Sequence, residues 1–327
     1  MKLHLNEIEF KNFLQIINKR SNIDIDIIEK DYYVCLVLEE LSKKQNQLKA
    51  YFKGGTAVYK ILEKMNRFSE DIDLTVKILD NESKTKNINR LKKSALGYQI
   101  NGLDLVKEEC LDKKGSVTGV YRYNSVYKDN KLPLQRAGKI QVEATSFTVS
   151  EPSKKYNIEP LLYKLANDTE KNILENDFEI SKIKIEIVTL ERIFIDKIFA
   201  TEFYYVRNMY MDVAKHLYDI VILYNNDNIQ RLLNNKNELE KLIEYKRREE
   251  KARKGGIADN KRINNFEYFK RGFNNELINK FEEMQEKYVL NEEYKISIEK
   301  SKEILMKLYN QIIYYWYDKS ITFRESE

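Results

Sequence analysis

A chain of 327 residues with 57 Lys+Arg against 52 Asp+Glu carries a formal charge of +5, too little over that length to mark a nucleic-acid partner by itself. Aliphatic residues, 23 Tyr and 14 Phe are spread along the whole chain, which excludes a disordered polymer and suits about two domains. No run of eighteen apolar residues occurs and the start "MKLHLNEIEF" has no apolar core, so neither membrane insertion nor secretion is indicated and cytoplasm is the expected compartment.

Three prolines and heavy Lys, Glu, Asn, Ile and Leu usage favour long helices. Apolar spacing predicts helices over 6–19 and 26–44, with Asp24 or Asp26 capping the second. From about 50 to 147 the pattern changes to short β-like runs, "AYFKG", "DIDLTVKI", "GVYRYNSVYK" and "KIQVEATSF", with helices expected over 55–65 and 84–97. After the connector "SEPSKKYNIEP", one more strand, "KIKIEIV", leads into helices expected over 189–206, 209–225, 229–250, 274–288 and 291–317. The fold class is therefore α+β: a mixed sheet with flanking helices over 1–187, then a mainly helical domain over 188–327. Between the third and fourth of these later helices, "YKRREEKARKGGIADNKR" reads as an exposed basic loop. Cys35 and Cys110 have no metal-ligand spacing and read as small buried side chains, and His4 reads as a surface residue.

The chemistry concentrates in one stretch, "YFKGGTAVYKILEKMNRFSEDIDLTV". Gly54 and Gly55 stand where a strand runs into a helix, so backbone N–H groups can approach an anion with no Cβ in the way, aided by the positive end of the helix. The Walker A and dinucleotide spacings are both absent. In "SEDIDLTV" the period of two puts Asp71 and Asp73 on one strand face and Ile72 and Leu74 on the other. Two carboxylates so close repel unless a cation sits between them, and hard oxygens suit Mg²⁺ or Mn²⁺. Glu143 in "KIQVEATSF" is the expected third acid, with Gln141 on its face and Val142 and Ala144 turned inward. The competing reading is that Asp71 and Asp73 are simply the solvated face of an edge strand.

These residues carry a resemblance. "FKGGTAVYKILEKMNRFSEDIDLTV" resembles the "KGGT…RFSEDID" core of the nucleotidyltransferase AbiEii/AbiGii toxin family, within the DNA polymerase β-like nucleotidyltransferase superfamily. "IIEKDYYVCLVLEEL" is similar to the family's E-K-D-Y helix, and "TLERIFIDKIFA" and "AKHLYDIVILY" to its helical E-K and R-H-Y-Y-D segments. The resemblance implies a polymerase-β-like sheet and the transfer of an NMP from an NTP, with Mg²⁺ or Mn²⁺, to RNA such as tRNA or to a protein hydroxyl. It also implies a bacterial toxin of a toxin–antitoxin or phage-defence system with a cognate antitoxin; the absence of a long apolar run gives the expectation of no membrane partner.

By the same resemblance Gly54, Gly55 and Thr56 face the triphosphate, with Ser69 between turn and acids, and Asp71 and Asp73 hold the metal, to which the strand pattern adds Glu143. Lys197 contacts nucleotide phosphates and Asp219 closes the R-H-Y-Y-D-like run. The chain departs from the family in having Lys215 before the histidine where arginine is usual, and Asp196 before Lys197 where glutamate is usual. From the residues alone, Ser69 suits either the nucleotide or a local turn bond, His216 structural support, and Lys30 and Asp31 either a buttress of the turn or a surface pair. Two other classes stay open: a catalytically silent nucleotide- or RNA-binding regulator, and a metal-dependent nuclease using the same acids.

Overall fold

The computed structural model describes residues 2–127 and 138–322, with side chains up to residue 312. The chain divides into two units, Met1–Val188 and Thr189–Glu327. In the first, α1 (Glu7–Ser21) starts at Asn6, whose side chain accepts the Glu9 amide, and stops at Asn22 in the left-handed region. Next comes α2 (Ile25–Leu48), apolar around most of its girth and buried without a break from Ile27 to Leu38, as a helix enclosed on all sides must be. There follow β1 (Ala50–Lys53), α3 (Gly54–Leu62), β2 (Asp71–Val76), α4 (Lys84–Leu96), β3 (Leu103–Leu105), β4 (Leu111–Lys113), β5 (Ser116–Tyr123) and β6 (Lys139–Thr145). The unit closes with β7 (Ser153–Ile158), α5 (Leu161–Lys164), α6 (Asp168–Asn176) and β8 (Ile183–Val188).

The strands form one mixed sheet in the order β3-β5-β6-β2-β1-β8-β7, with β4 also on β5. β2 runs antiparallel to β1 and parallel to β6, so it lies in the middle of the sheet and not at an edge. Ile72, Leu74, Ile140, Val142 and Ala144 are fully buried, and α2 and α4 pack against β2 and β6.

Four readings of this unit change, one being Cys110, which is half-buried where a buried side chain was expected. The connector "SEPSKKYNIEP" contains edge strand β7, paired antiparallel with β8 over its whole length; its polar "SKKYN" hid it. The strand expected over 119–128 ends at Tyr123, and Lys128 lies outside the described residues. His4 is half-buried, its ring nitrogens 2.9 Å from Tyr32 Oη and 2.7 Å from the Asn101 carbonyl, and burial lowers its pKa.

The second unit is helical: α7 (Leu190–Tyr205), α8 (Tyr210–Tyr224), α9 (Asp227–Leu233), α10 (Lys236–Ala252), α11 (Glu267–Arg271), α12 (Asn275–Tyr288) and α13 (Ile298–Thr322). α7 and α12 both pack on α8. The single helix expected over 229–250 is two, because Asn235 caps a new start by accepting the Glu238 amide at 3.3 Å. The expected exposed basic loop is also corrected. Helix α10 runs through its first half, and Lys246, Glu249 and Glu250 are buried there. Arg192, itself fully buried, pairs with Asp196 and Glu249, while Lys246 lies 3.0 Å from Glu249, 3.1 Å from Glu250 and 3.4 Å from Asp196. Burial alone would lower the Lys246 pKa, but these three carboxylates hold it above its usual value. Arg207 and Arg253 stack on Phe203, 3.6 and 3.5 Å from the ring centre. Among the described residues no helix is long and apolar enough to cross a membrane.

Candidate active site

The glycine turn and the two aspartates meet at the carboxyl end of β1 and the start of β2. Lys53, the last residue of β1, is the register partner of Asp73, and Gly54 opens α3 immediately after it. Gly54 has φ +83°, and a methyl group there would lie 1.9 Å from Asp73 Oδ2. The position therefore needs glycine twice over, for the left-handed backbone and for the carboxylate pressed against it. A methyl group on Gly55 would lie 2.8 Å from Ser69 Oγ and 2.9 Å from Arg67 Nη2. Thr56 is fully buried; its hydroxyl donates to the Asp71 carbonyl at 2.5 Å and lies 3.1 Å from Ser69 Oγ, tying the first turn of α3 to the start of β2. Thr56 thus serves as a fastener, and Ser69 meets it side chain to side chain, a contact across the α3–β2 connection and not the expected bond to the backbone near Asp71.

Asp71 and Asp73 are half-buried on one face of the central strand. On the parallel neighbour β6, Gln141 is the register partner of Asp71 and Glu143 that of Asp73. Three carboxylates thus occupy adjoining positions of one sheet face, an oxygen donor set of the kind hard divalent cations take. The fit is incomplete at the third position: the Glu143 carboxylate accepts a hydrogen bond from the Gln141 side-chain amide, and among the described residues no group of three or more His, Cys, Asp or Glu is drawn together tightly enough to enclose a metal. Asp71 and Asp73 share one strand face and supply the hard oxygens a divalent cation takes, while Glu143 is engaged by Gln141.

What holds this arrangement is the E-K-D run of α2, whose role the sequence could not choose. Glu29, Lys30 and Asp31 are all essentially buried, and each ties down a different segment. Glu29 accepts the Ser125 hydroxyl at 2.6 Å and the Val126 amide at 2.9 Å. Burial pushes its pKa up to about 7 against the pull of those two donors. Lys30 pairs with the buried Glu70, the residue directly before Asp71. Asp31 accepts the Tyr59 hydroxyl and the Leu161 amide, each at 2.6 Å, and lies 2.7 Å from Lys60 Nζ. Burial would lower the Lys60 pKa, but the Asp31 charge holds it above its usual value. These residues are buttresses, not a surface pair.

In the second unit, Lys197 on α7 and Asp219 on α8 are both buried and form an ion pair at 2.7 Å. The buried lysine thus has a carboxylate of its own unit beside it. His216 stacks on Tyr204 with ring centres 5.4 Å apart, and the Lys215 ammonium lies 4.6 Å from the centre of the Tyr288 ring. Lys215, where the family resemblance has arginine, thus places a cation on an aromatic face. Sequence reasoning passed over Arg67: its place in "RFSEDID" was visible, but its position beside Gly55 arises only when the connection between α3 and β2 folds back.

A family model for the nucleotidyl transferase AbiEii toxin, type IV TA system, matches residues 36–306. The chain belongs to this nucleotidyltransferase toxin family. Among solved structures it is similar to JHP933 from Helicobacter pylori, with 15% identity and a TM-score of 0.44 over 93% of this chain and 98% of that one. It is also similar to the nucleotidyltransferase toxin MenT4 from Mycobacterium tuberculosis H37Rv, with 10% identity and a TM-score of 0.37 over 89% of this chain and 98% of the other. No curated protein matches significantly.

Proposed function

We propose that the protein is a metal-dependent nucleotidyltransferase that moves an NMP from an NTP to an RNA, such as tRNA, or to a protein hydroxyl. We take it to be the toxin of a toxin–antitoxin or phage-defence system with a cognate antitoxin, acting in the cytoplasm. The observation that carries this reading is the contact of Gly54 with the Asp73 carboxylate, which puts a side-chain-free helix start against a pair of acids on a central strand. An acceptor oxygen would attack the α-phosphorus in line, the bond to the β-phosphate would break, pyrophosphate would leave, and the acceptor's proton would pass to solvent. Asp71 and Asp73, joined by Glu143, would hold Mg²⁺ or Mn²⁺, which when bound supplies positive charge to the reacting phosphates. Gly54 and Gly55 would offer backbone amides to the triphosphate, with Thr56 and Ser69 fixing the turn. Lys197 is assigned to nucleotide phosphates by the family resemblance alone; within its own unit it is buried and paired with Asp219 at 2.7 Å.

The test is to incubate the protein with each labelled NTP, Mg²⁺ and total cellular RNA, and follow label into RNA or protein. Asp73→Ala is expected to cut transfer by about a thousandfold or more while leaving the melting curve in place, since a half-exposed member of a repelling pair contributes little to stability. Full activity in that variant would refute the ligand assignment. The Gln141–Glu143 bond favours one alternative, a catalytically silent nucleotide- or RNA-binding regulator, which would bind NTP and release no pyrophosphate. A nuclease would cut RNA without consuming NTP.

A further inference from the structure

We propose that the cleft between α4 and the β4–β5 hairpin is a docking surface for a short acidic segment of a partner protein, one whose apolar side chains are flanked by carboxylates. The surface is separate from the glycine turn and the acids of β2, and its occupancy does not depend on the reaction proposed for them.

The parallel strands β2 and β6 end together, at Val76 and Thr145. Just past those ends opens a cleft of about 570 Å³, room for several side chains of a ligand. Leu91 of α4 and Val117 of β5 line it and are buried, while Ile78 and Ile88 line it and stay 53% and 41% exposed. Apolar side chains left open beside an apolar recess gain from being covered. The walls are already fixed. Asn87 on α4 clasps Leu79, accepting its amide and donating to its carbonyl, each at 3.0 Å. Arg90 on the same helix reaches back to Glu82 and Lys92 reaches across to Asp112 on β4, both at 2.6 Å. A ligand therefore meets a recess that needs little further ordering.

The charges around the cleft select the ligand. Glu82 and Asp112 are neutralised within the walls, whereas Lys84, Lys113 and Lys114 are exposed and make no ion pair among the described residues. Asp80 is the one lining acid left to oppose them among the described residues. Lys84 opens α4, and Lys113 and Lys114 belong to the hairpin, so the cations stand on different walls of an apolar recess. A peptide with carboxylates on both sides of its apolar anchors answers both walls, while the single carboxylate of a fatty acid answers one. No aromatic ring lines the cleft among the described residues, so the bases of a single-stranded nucleic acid would find nothing to stack on.

The experiment selects short random peptides displayed on phage against the full chain, then measures the enriched peptides, and dodecanoate beside them, by calorimetry. The proteins compared are wild type, Ile88→Asp, and the double variant Lys113→Glu with Lys114→Glu. Enriched sequences are expected to combine leucine, isoleucine or phenylalanine with aspartate or glutamate, and to bind Ile88→Asp about tenfold more weakly or worse. The double variant should lose a similar factor at low salt and less at high salt, and peptides with their acids changed to lysine should regain binding to it. Both sets of substitutions alter exposed side chains; should Ile88→Asp not fold, the double variant carries the comparison through the same salt dependence and charge swap. An enriched set without acids, affinities that ignore both sets of substitutions, or no enrichment at all overturns the proposal. Dodecanoate binding that Ile88→Asp removes, with no acidic peptide selected, makes the cleft a site for a lipid anion and overturns it equally. Label transfer from NTP should be unchanged in both variants, and its absence from the wild type would strike the nucleotidyltransferase reading while leaving this surface in place.

Discussion

Two regions of this protein bury charge, and they do so to different ends. In the helical unit Arg192, Lys246, Asp196, Glu249 and Glu250 form a network in which each cation lies against at least two carboxylates. In the sheet-bearing unit the buried charges of α2 reach outward one at a time, Glu29 to the segment after β5, Lys30 to the residue before β2, Asp31 to α3 and α5. What they frame is a set of acids, Asp71, Asp73 and Glu143, left half-buried on a single sheet face. In the helical unit charge is neutralised within one cluster; in the sheet-bearing unit Lys30 and Asp31 are neutralised pair by pair, by Glu70 and Lys60, around the face that carries the acids.

The sharpest way to break the comparison is Asp31→Ala. It strands the Lys60 ammonium in the interior and takes an acceptor from Tyr59 and from the Leu161 amide, so a loss of about 4 kcal/mol in urea unfolding is expected, together with loss of transfer. Next is Glu29. Its carboxyl binds a proton more tightly in the folded chain, with a pKa of about 7 against 4.5, so its contribution is full below about pH 4.5 and lost as pH rises to about 7. The difference in stability between wild type and Glu29→Gln should therefore shift by on the order of 3 kcal/mol between pH 4.5 and pH 7, in favour of the variant at the higher pH. A flat difference would show that Glu29 keeps its ordinary affinity for the proton. The smallest effect on the candidate site is expected for Arg192→Met, which costs about 3 kcal/mol of stability because Lys246 alone is left among Asp196, Glu249 and Glu250. Pyrophosphate affinity should not change in that variant, and a parallel loss would erase the distinction between the two regions.

The sequence made the local features legible. A glycine pair between strand and helix, and acids one residue apart, express their geometry through neighbours in the chain, and Ile72 and Leu74 gave the inward face of β2 by period alone. Whether β2 was central or an edge was not legible, since that depends on β6, which arrives some seventy residues later. Lys246, Glu249 and Glu250 read as part of an exposed loop because Arg192 and Asp196, which pair with Glu249 and Lys246, lie on α7, far back in the chain, and the same distance hid the roles of Lys30 and Asp31. The break between α9 and α10 was legible in principle from Asn234 and Asn235, but asparagine inside an apolar-periodic run also occurs within unbroken helices.

The Lys30–Glu70 pair has a geometric meaning beyond neutralising two charges. Glu70 is bonded directly to Asp71, so an ammonium fixed on a rigid helix sets where the strand begins. Were β2 to slide one step against its neighbours, Ile72 and Leu74 would turn towards the open face and the two aspartates would be driven beneath α2. This buried bond is therefore a phase marker, choosing which half of an alternating sequence lies on the half-buried face and which half is sealed away.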